Sequence, residues 1–233
     1  LFNAGKYVLS QSAEDGPVSH PLDRAFLARL SETVAKAAVS FEGLDYAGAL
    51  DAIERFFWAG FTDNYLELVK ARARSDSDAA GRASAVAALQ QGLSTLLRLL
   101  APYLPYVTEE VWSWGFSKAG GESVHRAPWP TPAEITTLLG GEAPDGAAFD
   151  AACAFLEAVR RAKSAAGATV GRHLSRLQVA ASPRVVDWLR PCAFDLAAAA
   201  RVSGEMLAAR DGLADDAFEV VEIELAPSSA AGA

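Results

Sequence analysis

The side chains best suited to chemistry or recognition lie in one aromatic stretch, residues 56–70. It holds five aromatic residues among fifteen and carries Asp63, Glu67 and Lys70. Asp63 and Glu67 are four residues apart and Lys70 follows three residues later, so a helix places all three on one face. The apolar stripe beside that face consists of Phe57, Phe61, Tyr65 and Leu68. Spacing alone favours a core helix whose polar edge faces solvent or a partner.

The residues that usually perform covalent or metal chemistry are scattered. Histidine occurs at His20, His125 and His173, and cysteine at Cys153 and Cys192. No spacing among them matches a metal site or a nucleophile with its base. The sequence also has no Gly-rich phosphate-binding loop. We therefore predict a binding module with no catalytic residue and no metal site.

The net charge argues against nucleic acid as a partner, whereas the charge distribution does not. The chain carries a net charge of −8 and has an isoelectric point of about 4.9, while phosphate neutralisation requires Lys and Arg. Basic residues are nevertheless concentrated in 70–74 and 157–176, and acidic residues in 211–224. Local basic patches on an acidic body are compatible with RNA binding.

Composition also bears on location. Two cysteines without a Cys-x-x-Cys spacing favour a reducing, cytoplasmic setting. No apolar run approaches the roughly 18 residues needed to span a bilayer, so we expect no membrane partner. The chain begins at Leu1, inside what reads as an amphipathic helix, and we expect it to be part of a longer protein.

Hydrophobic periodicity predicts a mainly α-helical protein with a small α+β part. The expected domains are a helical bundle over 1–130, a linker over 131–149, an α+β subdomain over 150–226 and a disordered tail over 227–233. The predicted helices are 1–12, 21–41, 46–74, 81–101, one beginning at Thr108, 150–166, 183–189 and 193–200. The predicted strands are 174–180, 205–208 and 218–225.

Several details of these elements follow from side-chain chemistry. Asp45 can cap the helix that begins at residue 46, and Gly60 marks a kink in that long helix. Thr108 is expected to cap the short helix, with the acids at Glu109 and Glu110 near its positive N-terminus. The proline-rich segment 123–130 is expected to be extended.

Four stretches together resemble one family, the class I aminoacyl-tRNA synthetases. Residues 1–9 (LFNAGKYVL) resemble the aromatic-Asn-Ala-x-basic-aromatic helix that follows the catalytic domain. Residues 61–70 (FTDNYLELVK) resemble Phe-Cys-Asp-x-Tyr-Leu-Glu-x-x-Lys. Residues 100–112 (LAPYLPYVTEEVW) and 127–130 (APWP) resemble the family's Pro-x-x-Pro-Phe-x-Thr-Glu-Glu-x-Trp and its closing Trp-Pro. The resemblance implies an anticodon-binding helical bundle over about 1–130.

Within that family the valyl enzymes are the most similar. Residues 159–164 (VRRAKS) resemble their helix after the bundle, and the α+β part ending at 218–225 resembles the region that follows. Thr62 and Asn64 depart from the usual Cys and Trp. Isoleucyl and leucyl enzymes share the bundle and are the alternative. A helical module that binds protein is a third hypothesis, favoured by the acidic composition.

The resemblance also implies which residues meet RNA. Lys6 and Tyr7 match a basic-aromatic pair that lies against the anticodon, where an unpaired base can stack on the ring. Leu66 and Glu67 match residues of the facing helix, whereas Asp63 and Tyr65 are expected to be structural. The full set of expected tRNA-binding residues is Asn3, Lys6, Tyr7, Leu66, Glu67, Lys70, Arg160, Arg161 and Lys163. For the last three, a solvated basic face is the alternative to a backbone contact.

By the same resemblance the partners are tRNA(Val) and the catalytic and editing domains of the same polypeptide, with no DNA. The catalytic signatures of class I enzymes are absent and would precede Leu1. We therefore expect no cofactor in this chain and no activity from it alone, because ATP and Mg²⁺ belong to the catalytic domain.

Overall fold

The computed structural model describes residues 1–117, 122–142 and 145–227. The chain divides into two compact units, which are described separately. The first comprises Leu1–Glu67 and Arg72–Gly146, and the second comprises Leu68–Ala71 and Ala147–Ala233. Residues 228–233, which are all but the first residue of the expected tail, lie outside the described residues.

The first unit is built from helices. They are α1 (Phe2–Leu9), α2 (Pro21–Glu42), α3 (Tyr46–Arg55), a π-helix (Phe56–Tyr65), α4 (Leu66–Val69, which runs into the second unit), a 3₁₀-helix (Arg72–Arg74), α5 (Ala79–Leu100), α6 (Pro105–Gly115), a 3₁₀-helix (Val124–Arg126) and α7 (Pro132–Leu138). α2 packs against α3, α5 and α7, and α1 packs against α5 and α6. The predicted helical bundle is therefore confirmed.

Short polar side chains fix where several of these helices begin. Asp45 accepts a hydrogen bond from the Gly48 amide, as the sequence predicts, and Asp78 accepts one from Gly81 in the same way. Thr131 and Glu134 form a reciprocal capping box at the start of α7. α7 occupies 132–138 within the expected linker over 131–149, so that part of the chain is helical, and its role as a linker stays a prediction.

The aromatic stretch departs most from the expected regular helix. Over Phe56–Tyr65 the backbone winds as a π-helix, a wider form that usually occurs only as a single-turn bulge. Asn64 Nδ2 donates to the Ala59 carbonyl at 2.9 Å, and Thr62 Oγ1 donates to the Trp58 carbonyl at 2.8 Å. These side chains satisfy backbone acceptors within the wider winding. What the sequence predicts as a kink near Gly60 is thus a ten-residue π-helix.

The core of the first unit is an aromatic cluster against α5. The Phe26 ring stacks on Tyr65 at 3.7 Å between centroids and lies 5.9 Å from Phe61. Gly92 of α5 faces this cluster, and a Cβ there would lie 3.0 Å from Phe26 and 3.1 Å from Phe61. Since a side chain at Gly92 would push these rings apart, glycine allows α5 to approach them closely.

The start of α6 corrects a prediction. The helix begins at Pro105, so Thr108 lies in its first turn and its hydroxyl donates to the Leu104 carbonyl at 2.8 Å. Glu109 accepts hydrogen bonds from Ser123 Oγ at 2.8 Å and from the Val124 amide at 2.9 Å. Thr108 is therefore not the cap, and Glu109 holds the 3₁₀ turn that interrupts the segment expected to be extended.

The second unit is the predicted α+β subdomain. Its elements are α8 (Ala147–Ala165), β1 (Leu174–Ala181), α9 (Pro183–Leu189), a 3₁₀-helix (Arg190–Cys192), α10 (Ala193–Ala200), β2 (Leu207–Ala209) and β3 (Glu219–Leu225). The strand order is β2-β1-β3, with β1 parallel to β2 and antiparallel to β3. α8 packs against β3, α9 and α10. α9 also packs against β2, so helices cover the sheet at both of its edge strands.

Candidate nucleic-acid interface

α1 presents its polar residues on one outward face. Asn3 and Lys6 are exposed and Tyr7 is half-buried, and their spacing of three and four residues puts them side by side. The opposite face is packed tightly, because a Cβ on Gly5 would lie 2.5 Å from Val111 Cγ1 of α6. This close approach fixes α1 against α6 and so fixes the direction of the polar face.

Tyr7 lies against a cation from a distant part of the chain. The Arg74 guanidinium carbon is 5.1 Å from the Tyr7 ring centroid, and Arg74 Nε donates to Gln11 Oε1 at 3.3 Å. Gln11 Nε2 donates in turn to the Tyr7 carbonyl at 2.9 Å and to Ser10 Oγ at 2.8 Å. Gln11 is only 7% exposed, so its amide holds Arg74 to the C-terminal end of α1.

Glu67 completes this group of charges. Burial raises the pKa of the Tyr7 phenol above its usual value, the Arg74 charge lowers it, and the Glu67 carboxylate raises it. The phenol therefore keeps its proton at neutral pH, and because its oxygen is buried, the ring is the part of Tyr7 that can meet a partner. We call Lys6, Tyr7, Gln11, Glu67 and Arg74 together the Tyr7 site. It combines an aromatic ring with the Arg74 cation and the Glu67 carboxylate. Lys6 adds a second cation from the same helix, and its ammonium lies 4.5 Å from the Phe2 ring centroid.

A buried ion cluster anchors the chain segments that carry Glu67 and Arg74. We define it as Asp23, Tyr65, Arg72 and Ser84. Arg72 binds both carboxylate oxygens of Asp23 at 2.7 and 2.8 Å, Tyr65 donates to Asp23 at 2.7 Å, and Ser84 donates at 2.6 Å. Asp23 is fully buried and Arg72 is 3% exposed. Because Tyr65 and Arg72 each stand two residues before a member of the Tyr7 site, the cluster anchors the chain on both sides of Glu67 and just before Arg74.

Comparison with known proteins identifies the fold. The family model for the anticodon-binding domain of tRNA ligase matches residues 23–176, more than half of the chain. The chain belongs to this family. The model match contains Glu67 and Arg74, whereas α1, with Lys6 and Tyr7, precedes it.

Among curated proteins, the anticodon-binding domain is similar to part of several valine--tRNA ligases. It is 42% identical to that of Thermobifida fusca over 98% of this chain and 25% of the relative. It is 41% identical to that of Salinispora arenicola over 90% of this chain and 25% of the relative. A third, from Bifidobacterium longum subsp. infantis, is 36% identical over 97% of this chain and 27% of its own length. The chain thus spans about a quarter of these relatives.

One expected tRNA-binding residue of the anticodon-binding domain offers almost no surface, and another lies in the second unit. Leu66 is 9% exposed, so it supports Glu67 and offers almost no surface itself. Lys70 is exposed but belongs to the segment Leu68–Ala71 of the second unit. Its contact with tRNA stays a prediction.

The structure contradicts the prediction for Lys163. Its side chain is 1% exposed, and Nζ donates to the carbonyls of Val170, Arg172 and Ala200 at 3.0, 2.7 and 2.9 Å. An ammonium has three donors, and all three are occupied, so none remains for a phosphate. Burial, and secondarily Arg201, lowers the pKa of Lys163. Lys163 ties the turn between α8 and β1 to the end of α10, and its ammonium has no donor left for a phosphate.

The neighbouring arginines remain candidates. Arg161 is exposed and forms an ion pair with Glu157, one helical turn earlier, at 3.4 Å. Arg160 is half-buried and lies close enough to Cys153 to oppose, by its charge, the rise in the thiol pKa. Burial nevertheless raises the pKa of Cys153 to about 12, so this thiol is unreactive at neutral pH.

Neither a metal-ligand cluster nor a membrane-spanning helix occurs among the described residues. Among them, no group of three or more His, Cys, Asp or Glu is arranged to hold a metal ion. None of their helices combines the length and apolar character needed to cross a membrane.

The histidine at the start of α2 has a structural role: His20 Nδ1 accepts a hydrogen bond from the Leu22 amide and so caps the helix.

Sequence reasoning missed Gln11 and Arg74. Arg74 is visible in the sequence only as one of three basic residues in 70–74, and Gln11 has no neighbouring motif. The two residues are 63 positions apart, and only the packed bundle brings them together beside Tyr7.

Proposed function

We propose that this anticodon-binding domain binds the anticodon loop of tRNA(Val) through the Tyr7 site, and that it serves valine–tRNA ligation by a longer polypeptide. The similarity to valine--tRNA ligases supports the amino-acid identity. Because the chain covers only about a quarter of those relatives, the ligase activity itself, with its ATP and Mg²⁺, is assigned to catalytic and editing domains outside these residues.

The observation that carries the proposal is the contact of the Arg74 guanidinium with the half-buried Tyr7 ring, with Glu67 close enough to act on the phenol by its charge. Unpaired anticodon bases can stack on aromatic rings or guanidinium planes, and such stacking contributes about 1–3 kcal/mol per base. The Glu67 carboxylate can accept hydrogen bonds from base amino or imino groups. Lys6, exposed on the same face of α1, can neutralise a phosphate.

The decisive experiment compares tRNA(Val) with transcripts whose anticodon has been changed. We expect the anticodon change to weaken binding to the chain, and Tyr7→Ala to cost about 1–3 kcal/mol through lost stacking. Tyr106→Ala is the matched control, because Tyr106 is 90% exposed on the same unit. An affinity that is indifferent to the anticodon would refute anticodon reading.

The same titrations distinguish the alternative amino acids. Isoleucyl and leucyl enzymes resemble this chain in the bundle, so tRNA(Ile) and tRNA(Leu) belong in the panel. Tighter binding of either would overturn the valine assignment. The protein-interaction hypothesis is set aside because the family match covers most of the bundle.

A cytoplasmic location remains a prediction from cysteine usage.

A further inference from the structure

The Arg74 side chain is held in place and still has donors to offer. Its Nε is bound to Gln11 Oε1 and its guanidinium lies over the Tyr7 ring. Arg74 is exposed. Within the described ranges, its Nη1 and Nη2 make no hydrogen bond or ion pair with protein. The guanidinium is therefore ordered by its surroundings while its outer edge faces solvent.

Holding the Arg74 side chain in one conformation costs conformational entropy, and its contacts with the protein offset little of that cost. Fixing a long side chain loses rotamer freedom, and an exposed cation over an aromatic ring gains little at a solvated site. A planar guanidinium with two neighbouring amino groups matches the oxygens of a phosphate, which it can bind through two parallel hydrogen bonds. Prior ordering lowers the entropy lost when that contact forms.

We propose that Arg74 binds a backbone phosphate of the RNA next to the nucleotide that meets Tyr7, with Gln11 as its positioning residue. This rests on the proposed function, which places RNA at the Tyr7 site. It adds a residue that carries affinity irrespective of anticodon sequence, because a phosphate is the same in every nucleotide.

The first test is Arg74→Gln, measured as tRNA(Val) affinity over a series of salt concentrations. We expect an affinity loss of about ten-fold at low salt. We also expect the slope of log K against log salt to become less negative by about 0.7, the value for one single-stranded phosphate. The loss should be equal for tRNA(Val) and for the anticodon-changed transcript. Arg126→Gln, an equal charge change at an exposed residue of the same unit, should leave the slope unaltered.

Arg74→Lys separates a phosphate contact from base stacking. Lysine keeps the charge and loses the plane, so a phosphate contact predicts that the salt slope is preserved and most of the affinity returns. If Arg74→Lys loses as much as Arg74→Gln while the slope is preserved, the guanidinium stacks on a base and the phosphate assignment is wrong.

The role of Gln11 is tested by a double-mutant cycle. Gln11→Met removes the Oε1 acceptor, and we expect a loss of about three-fold in affinity that disappears when Arg74 is already Gln. A loss of equal size in both backgrounds would show that Gln11 acts on the fold and not through Arg74.

Failure of this inference differs from failure of the proposed function. If Arg74→Gln changes neither affinity nor slope while Tyr7→Ala still weakens binding, Arg74 is not a contact and the anticodon proposal stands. If the anticodon change and Tyr7→Ala have no effect but Arg74→Gln lowers the slope, the phosphate contact stands without anticodon reading. If the wild-type chain shows no salt-dependent tRNA binding, both proposals are wrong.

Discussion

Arg72 and Arg74 lie two residues apart in one 3₁₀-helix, and their surroundings give them opposite roles. Arg72 is 3% exposed and binds both oxygens of a fully buried carboxylate, Asp23. Arg74 is exposed and donates one hydrogen bond, to Gln11. The buried ion cluster therefore stabilises the bundle, whereas the Tyr7 site displays charge. A run of basic residues in a sequence therefore does not show which of its members is available to a partner.

The same contrast recurs in the second unit. Lys163 and Arg161 are two residues apart in α8, and the sequence predicts both as RNA contacts. Lys163 is buried and saturated by three carbonyls, while Arg161 is exposed beside Glu157. Each pair thus contains one cation committed to the fold and one that faces solvent.

The largest effect is expected at Arg72. Arg72→Met leaves the Asp23 carboxylate buried without its cation, and breaking such a pair costs about 3–5 kcal/mol. Urea denaturation followed by tryptophan fluorescence measures this loss. Arg74→Met, the same change two residues later, should cost only about 0.5–1 kcal/mol through the contact with Tyr7. Equal losses at the two positions would remove the distinction.

The next effect is expected at Lys163. Lys163→Met preserves side-chain length but leaves two carbonyls of the α8–β1 turn, and that of Ala200 at the end of α10, without their donor. We expect a loss of about 1–3 kcal/mol in the free energy of unfolding. Arg161→Met is the matched control in the same helix. It should change stability by less than about 0.5 kcal/mol, since an exposed ion pair contributes little. A larger loss at Arg161 would reverse the assignment.

Lys163 also has a predicted pH signature. Burial lowers its pKa in the folded state below the ordinary 10.5, so between the two values the unfolded chain binds more protons. The contribution of Lys163 to stability is then fully present above 10.5 and declines as the pH falls through the folded-state pKa. The difference in unfolding free energy between wild type and Lys163→Met should increase with pH across that interval. A decrease would contradict the lowered pKa.

The smallest effect concerns RNA binding by the second unit. If Arg161 meets a phosphate, Arg161→Gln should lower the salt slope of tRNA binding by about 0.7–0.9, with no change in thermal stability. Lys36→Gln, at an exposed lysine of α2, is the control for a loss of charge. An unchanged slope in Arg161→Gln would remove Arg161 from the tRNA-binding set and leave it a solvated residue.

Local signals predict much of the fold because their physics is local. Asp45 is recognisable as a cap from its type and position, and the alternating residues of 218–225 indicate β3. The sequence predicts only a kink where the structure has the π-helix of Phe56–Tyr65, because the packing of Phe61 and Tyr65 against Phe26, which is distant in sequence, exists only in the folded bundle. Thr108 was wrongly predicted as a cap because proline at the first helical position, Pro105, begins the helix earlier.

For the candidate site, the sequence by itself determined the family resemblance, the polar face of α1 and the aromatic residue on it, Tyr7. It could not determine which cations are open to a partner, because residue type alone does not show whether a side chain is buried. The four cations in question are Lys6, Arg72, Arg74 and Lys163. Only the tertiary structure decided that Arg72 and Lys163 are buried among acceptors while Arg74 lies over Tyr7. The reason is physical. The cost of burying a charge, and the partners that offset it, come from residues distant in sequence and exist only once the chain has packed.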